Sequence, residues 1–174
     1  MGNRLFISSE GLDVKSYCNA DWANDRKDRK FYSGYMITIG NSPVSWRSKK
    51  QDCVKLSTLE AEYVALGECC KEVLWLKNVA EEMDLGSMFK DAIIVYEDNT
   101  STIKLASNYE CRSRTKHIAT RHHFVRELVN NKSVWIEYIE SRNNVADVLT
   151  KPMGTQRLDF LMSRLMLIQG LTEE

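Results

Sequence analysis

Apolar and polar positions alternate along the first stretch with a clear pattern. Val14, Ser16 and Cys18 fall on one side, Lys15, Tyr17 and Asn19 on the other, which is the period of a β-strand. Tyr35-Met36-Ile37-Thr38-Ile39 follows. It is interrupted by Gly40-Asn41-Ser42-Pro43 and resumed by Val44-Ser45-Trp46-Arg47, the pattern of a hairpin with a longer turn. Cys53-Val54-Lys55-Leu56 reads as a further strand. The period then changes. Ser57 is a good N-cap, Glu60 stands three residues on, and Leu59, Tyr63, Leu66, Cys70 and Val73 recur at helical spacing. This predicts a long helix with one buried face, running to about Met83 and leaving at Gly86.

The second half alternates strands and helices. Ala92 to Tyr96 is a continuous apolar run, predicting a strand buried on both faces. A short helix over 101–106, a helix over 118–129, a strand over 134–139, a helix over 144–150 and an amphipathic stretch over 158–167 complete the chain. Three antiparallel strands, a helix, then strands alternating with helices describe an α/β protein with a mixed sheet flanked by helices. Ligands bind such sheets at strand ends near a topological switch. No repeat or boundary divides the chain, so one domain is expected over 1–174, with a core at about 4–152 and a helical extension at 153–171. Trp46, Trp75 and Trp135 read as core aromatics.

Composition sharpens this picture. The 174 residues carry 24 basic and 24 acidic side chains, so no global charge steers the protein to nucleic acid or an anionic membrane. No apolar run approaches the roughly 20 residues of a spanning helix, and no secretory signal opens the sequence. Gly2 invites N-myristoylation, but Phe6 occupies the Ser/Thr position of that motif. Five cysteines without CxxC spacing point to buried, reduced thiols of an intracellular protein, in cytoplasm or nucleus.

Several acids stand at special places. Asp98 follows a buried strand, Glu62 lies one turn inside the long helix, and Asp147 is on the segment after the last strand. Asn19 and Asp21 share one face of the first long strand. Carboxylates converging at a sheet edge bind hard divalent cations, Mg²⁺ first. Ion pairs and caps are the commoner uses of such acids.

An ordered series of motifs now becomes recognisable. It comprises N-A-D-W-A-N-D-R-K-D-R-K at 19–30, S-G-Y at 33–35, S-W-R-S-K-K-Q at 45–51, L-E-A-E-Y-V-A-L at 59–66 and Y-E-D-N at 96–99. S-R-T-K-H-I at 113–118, H-F-V-R-E at 123–127, Y-I-E at 138–140 and N-N-V-A-D-V-L-T-K-P at 143–152 follow. From about Arg4 to Leu171 the chain resembles the ribonuclease H domain of copia-type LTR retrotransposon polyproteins. The resemblance implies a ribonuclease H-like fold with a five-stranded mixed sheet, three antiparallel strands followed by parallel additions. It implies cleavage of the RNA strand of an RNA–DNA hybrid by two Mg²⁺ ions, with Mn²⁺ as substitute, on a D-E-D-D set. Carried over, the catalytic positions are Asn19, Glu62, Asp98 and Asp147, and the metal ligands Glu62, Asp98 and Asp147.

The first position departs from the family. Where the family reads Y-S-D-A-D-W, this chain has Tyr17-Cys18-Asn19-Ala20-Asp21-Trp22. An amide is neutral and offers one oxygen, so it cannot balance two dications. Asp21 is the candidate replacement ligand, although two residues along a strand is roughly 6–7 Å away. Phe31-Tyr32, Thr58-Leu59 and Thr100 replace the family's Ser-Thr, Ser-Thr and Gln. Arg47, Lys49 and Lys50 form one basic cluster. Arg112, Arg114, Lys116, His117, Arg121, His122 and His123 form a second. A charge run is usually a solvated face, but within these motifs Asn99, Arg112, Arg114, Lys116, His117 and Arg121 are candidate hybrid contacts. Two readings stand at this point. One is a hybrid ribonuclease weakened at Asn19. The other is a catalytically inactive, domesticated module that binds nucleic acid or a protein, such as a reverse transcriptase domain.

Overall fold

The computed structural model describes residues 3–5, 13–21, 30–52, 57–89, 91–107, 116–165 and 167–169. Its main sheet contains β2 (Val14–Asp21), β3 (Tyr32–Ile39), β4 (Ser42–Lys50), β5 (Ile93–Glu97) and β6 (Val134–Tyr138) in the order β4-β3-β2-β5-β6. β2, β3 and β4 pair antiparallel, while β5 joins β2 and β6 joins β5 in parallel. The expected five-stranded mixed sheet is therefore present, with its switch between β2 and β5. Separately, β1 (Asn3–Leu5) pairs antiparallel with β7 (Leu167–Gln169). The strand expected at 53–56 lies outside the described residues.

Alternation assigns the faces. Val14, Cys18 and Ala20 of β2, Ile37 of β3 and Ile93 and Val95 of β5 pack with Ala61, Tyr63, Leu66, Cys70 and Val73 of α1 (Thr58–Glu82) in the main core. Burying one such large apolar side chain contributes about 1.5–3 kcal/mol. Ser57 caps α1 as expected, accepting from the Glu60 N–H at 3.2 Å. α1 ends where expected, at about Met83. Met83 is the C-cap, and Asp84 takes the left-handed conformation at φ 59°, a role that Asp tolerates through its short polar side chain. α2 (Thr100–Ser107) and α3 (Lys116–Asn130) lie on the same side, where Val125 and Leu128 join this core.

The opposite face is covered only in part. Met36, Val145, Leu161 and Leu165 form a second cluster there with α4 (Thr155–Ser163). Beside it the stacked rings of Tyr17 and Tyr96, with centroids 5.0 Å apart, line a cavity of about 480 Å³ with Lys15 and Arg164. β5 is thus half-exposed on this face rather than buried on both.

Three expectations need correction. Trp46, Trp75 and Trp135 are 60%, 56% and 61% exposed rather than core residues. Trp46 and Trp135 stand on the two edge strands, and Trp75 stands on the side of α1 away from the sheet. The helix over 144–150 is a 3-10 segment, Val145–Leu149, closed by bonds such as Thr150 N–H to Asp147 O at 3.1 Å. The helical extension stops at Ser163, and 167–169 are strand because they pair with β1. Cys18, Cys69 and Cys70 are buried, free thiols as expected. No helix among the described residues is long and apolar enough to cross a membrane.

Candidate active site

The carboxyl ends of the parallel pair β2 and β5 carry the site. Asn19 lies near the end of β2, Glu97 closes β5, and Asp98 follows at once. α1 crosses behind β2, and the Ala20 N–H donates to Glu62 Oε2 at 2.6 Å. Strand and helix are thereby tied beside Asn19. On the other face the Val145–Leu149 segment is seated by Asn144. Its Nδ2 donates to the Cys18 carbonyl at 2.9 Å and its Oδ1 accepts from Ala146 N–H at 3.1 Å. Gly34, paired with Asn19 across β2 and β3, lets this segment lie close. A Cβ there would meet Leu149 Cβ and Thr150 Cγ2 at 2.8 Å.

The predicted positions therefore gather, but they divide into two environments. Asp147 is fully buried among cationic and amide donors. Asn19 Nδ2 donates to Asp147 Oδ1 and, at 3.1 Å, to Thr150 Oγ1. Lys151 Nζ stands 3.0 Å from Asp147 Oδ1. Arg157 Nη2 donates to Asp147 Oδ2 and to the Ser141 carbonyl at 3.0 Å. Both oxygens of Asp147 are thus engaged by positive groups.

The second environment lies on the α1 side. Glu62, Glu97 and Asp98 each offer a carboxylate oxygen, all within 4.8 Å of one another. Glu97 accepts from the Cys18 thiol at 3.3 Å and from the Asn99 N–H at 3.0 Å, and Ser141 Oγ donates to Asp98. No cation pairs with Glu62 or Glu97 among the described residues. Burial, then the neighbouring charges of Glu97 and Asp98, pushes the Glu62 carboxyl up to about 10. Burial likewise raises Glu97 to about 8 and raises Asp98. Three close oxygen donors, of which only Asp98 feels a nearby cation, Lys151, suit one hard divalent cation. The cation-paired Asp147 and the amide of Asn19 do not suit a second.

Glu97 was not among the sequence candidates. Its signal was available: Ile93, Val95 and Glu97 share the inward face of β5, so an acid occupies a core register. Asp21 is half-buried at the end of β2, outside the three-carboxylate group. Asn99 caps α2, its Oδ1 accepting from the Ser101 and Thr102 N–H groups at 3.0 and 3.1 Å. Arg121 packs against Gly67, and its Nη2 is 3.7 Å from Glu68 Oε1. Glu68 also faces Arg47 at 3.8 Å and Lys71 at 3.1 Å, so residues of both basic clusters meet over α1. His122 is instead buried, stacked on Tyr63, with Nε2 at 3.0 Å from the Leu105 carbonyl. Arg112 and Arg114 lie outside the described residues, and of Lys116 and His117 only the backbone in α3 is described.

Comparison with known proteins agrees with this architecture. The halophilic archaeal RNase H1 of Halobacterium salinarum superposes with TM-score 0.53 at 17% identity, over 85% of this chain and 98% of that one. LC11-RNase H1, solved in complex with an RNA/DNA hybrid, gives 0.56 at 12% identity over 79% and 94%. At these identities the likeness establishes the fold. No family model matches the chain. The Pol polyprotein of transposon TNT 1-94 from Nicotiana tabacum is 43% identical over 158 residues, 91% of this chain and 12% of the polyprotein. That of transposon RE1 from Arabidopsis thaliana is 35% identical over 143 residues, 82% of this chain and 10% of the polyprotein. The chain thus spans about a tenth of the length of these relatives. The chain thus has the fold of a ribonuclease H and, over most of its own length, resembles one segment of copia-type retrotransposon Pol polyproteins.

Proposed function

We propose that this chain is a hybrid-directed ribonuclease H domain, acting on the RNA strand of RNA–DNA duplexes, with its hydrolytic power reduced by Asn19. The observation that carries the reading is the convergence of Asn19, Glu62, Asp98 and Asp147 at the carboxyl ends of β2 and β5, from four separated segments of the chain. Glu62 and Asp98 are the predicted acids placed to hold Mg²⁺ or Mn²⁺. Such an ion, when bound, supplies an activated water and charge stabilisation at the leaving oxygen. The chain's own part is positioning. Ala20 N–H orients Glu62 and Ser141 orients Asp98, while Arg47, Lys71 and Arg121 gather a local positive surface for phosphates despite the neutral total charge.

A second reading, a hybrid-binding module without turnover, is favoured by one observation: the Asn19 amide turns a hydrogen-bond donor toward Asp147, where the family has an acid. Cleavage of a labelled hybrid in Mg²⁺ and Mn²⁺ separates the two. The unmodified chain should cut slowly, Glu62→Gln should abolish cutting, and Asn19→Asp should raise the rate by more than about 10–100-fold. If only Asn19→Asp cuts while the unmodified chain still binds hybrid, the binding-module reading holds. If no form binds hybrid, both fall.

A further inference from the structure

We infer that Glu97 is a ligand in a relocated single-ion site, Glu62–Glu97–Asp98, and that Asp147 has been withdrawn from metal binding into a structural ion cluster. This rests on the reading above for the presence of a divalent cation, and departs from it in which residues hold the ion and how many ions there are. The sequence resemblance assigned no role to Glu97. Its register places it on the face of β5 that Ile93 and Val95 present to the core, and its side chain is wholly buried. A carboxylate in such a position is costly unless it meets positive charge or several donors. Its bonds come from a thiol, a weak donor, and from the backbone N–H groups of Asn99 and Asp98, none of them charged. What stands within reach are two further carboxylates, Glu62 and Asp98, which deepens the deficit of positive charge. A divalent cation bound by all three removes it.

The same substitution that unmade the expected centre accounts for the move. An Asp at position 19 would set its carboxylate directly against that of Asp147. The amide instead donates to Asp147, and Lys151 and Arg157 complete its neutralisation. Around the site, Lys151 and Arg157 thus stand against Asp147, and the Glu62–Glu97–Asp98 acids lie toward α1. Glu97 supplies there the carboxylate that Asn19 no longer offers.

The test is titration of the full chain with Mn²⁺, reading free ion by electron paramagnetic resonance and protein by thermal melting, without substrate. The unmodified chain should bind one ion and melt higher with it. Glu97→Gln should weaken binding at least about 10-fold, the scale at which lost coordination partners act, and lose the melting shift. Asp147→Asn should weaken Mn²⁺ binding far less than Glu97→Gln does, through lost charge alone, while lowering the metal-free melting point. Equal binding by Glu97→Gln and the unmodified chain overturns the inference, as does a loss in Asp147→Asn matching that in Glu97→Gln. Should Glu97→Gln fail to fold, Glu97→Asp keeps the charge and retracts the oxygens by a methylene. It must also lose affinity, and an unchanged titration again overturns the inference. Hybrid binding measured on the same samples separates the two levels. A lost hybrid with the Mn²⁺ pattern intact removes the ribonuclease reading alone, and hybrid binding with the pattern absent removes the Glu97 site alone.

Discussion

At Asn19 an NH₂ group faces Asp147 where the family resemblance expects a second carboxylate. At the carboxyl ends of β2 and β5, Glu62 and Glu97 are buried with no cationic side chain paired to them among the described residues, and this has a consequence in the metal-free protein. Unfolded glutamates lose their protons near 4.5, whereas burial holds Glu97 to about 8 and Glu62 to about 10. Between these limits the folded state binds more protons than the unfolded one, so raising the pH destabilises it. The stability these groups allow is fully present below 4.5 and is lost as pH rises through the folded values. In EDTA, calorimetry should find the melting temperature falling by at least about 2–4 °C from pH 5 to pH 8, the shift that 1 kcal/mol gives a chain of this size. Glu97→Gln should flatten this fall, and a flat profile in the unmodified chain would contradict the burial argument. The four motif positions were legible in the sequence because each sits in a distinctive string. Glu97 was not, because an acid beside Asp98 reads as one more surface charge until the strand's register is fixed.

Elements differ in how far they could be read. α1 was clear because Ser57 and its apolar stripe each specify the same helix. Val145–Leu149 was not, since five residues too few to show a period leave a 3-10 turn and an α-turn alike on paper. Its closeness to β3 depends on Gly34, whose missing side chain leaves the space that Leu149 and Thr150 occupy. Gly34→Ala should therefore cost about 1–3 kcal/mol, the usual range for overpacking. It should also loosen the Asn19–Asp147 bond, detectable as faster amide exchange over 145–150. The tryptophans were misread for an element-level reason. A large apolar residue predicts burial only if something covers its face, and no alternation pattern says which edge strands remain uncovered.

Over the whole molecule, equal numbers of acids and bases hide a segregation that composition cannot express. The strands and helices bring Arg47, Lys71 and Arg121 together around Glu68, although these residues come from β4, α1 and α3. If they contact phosphates, replacing Arg47 and Arg121 together by Ala should lower the slope of log affinity for hybrid against log salt by about 1–2. An unchanged slope would place the duplex elsewhere. The β1–β7 pair sets a mechanical property as well. Asn3 lies opposite Gln169 and Leu5 opposite Leu167, so the outermost residues of the two strands meet at one end of a short ribbon. Tension applied through them peels the ribbon one rung at a time, from Asn3–Gln169 inward, before any load reaches the five-stranded sheet. The ribbon is thus a zipper fastening the neck of a loop, and the strand ends bearing the acids are shielded from strain until that zipper has opened.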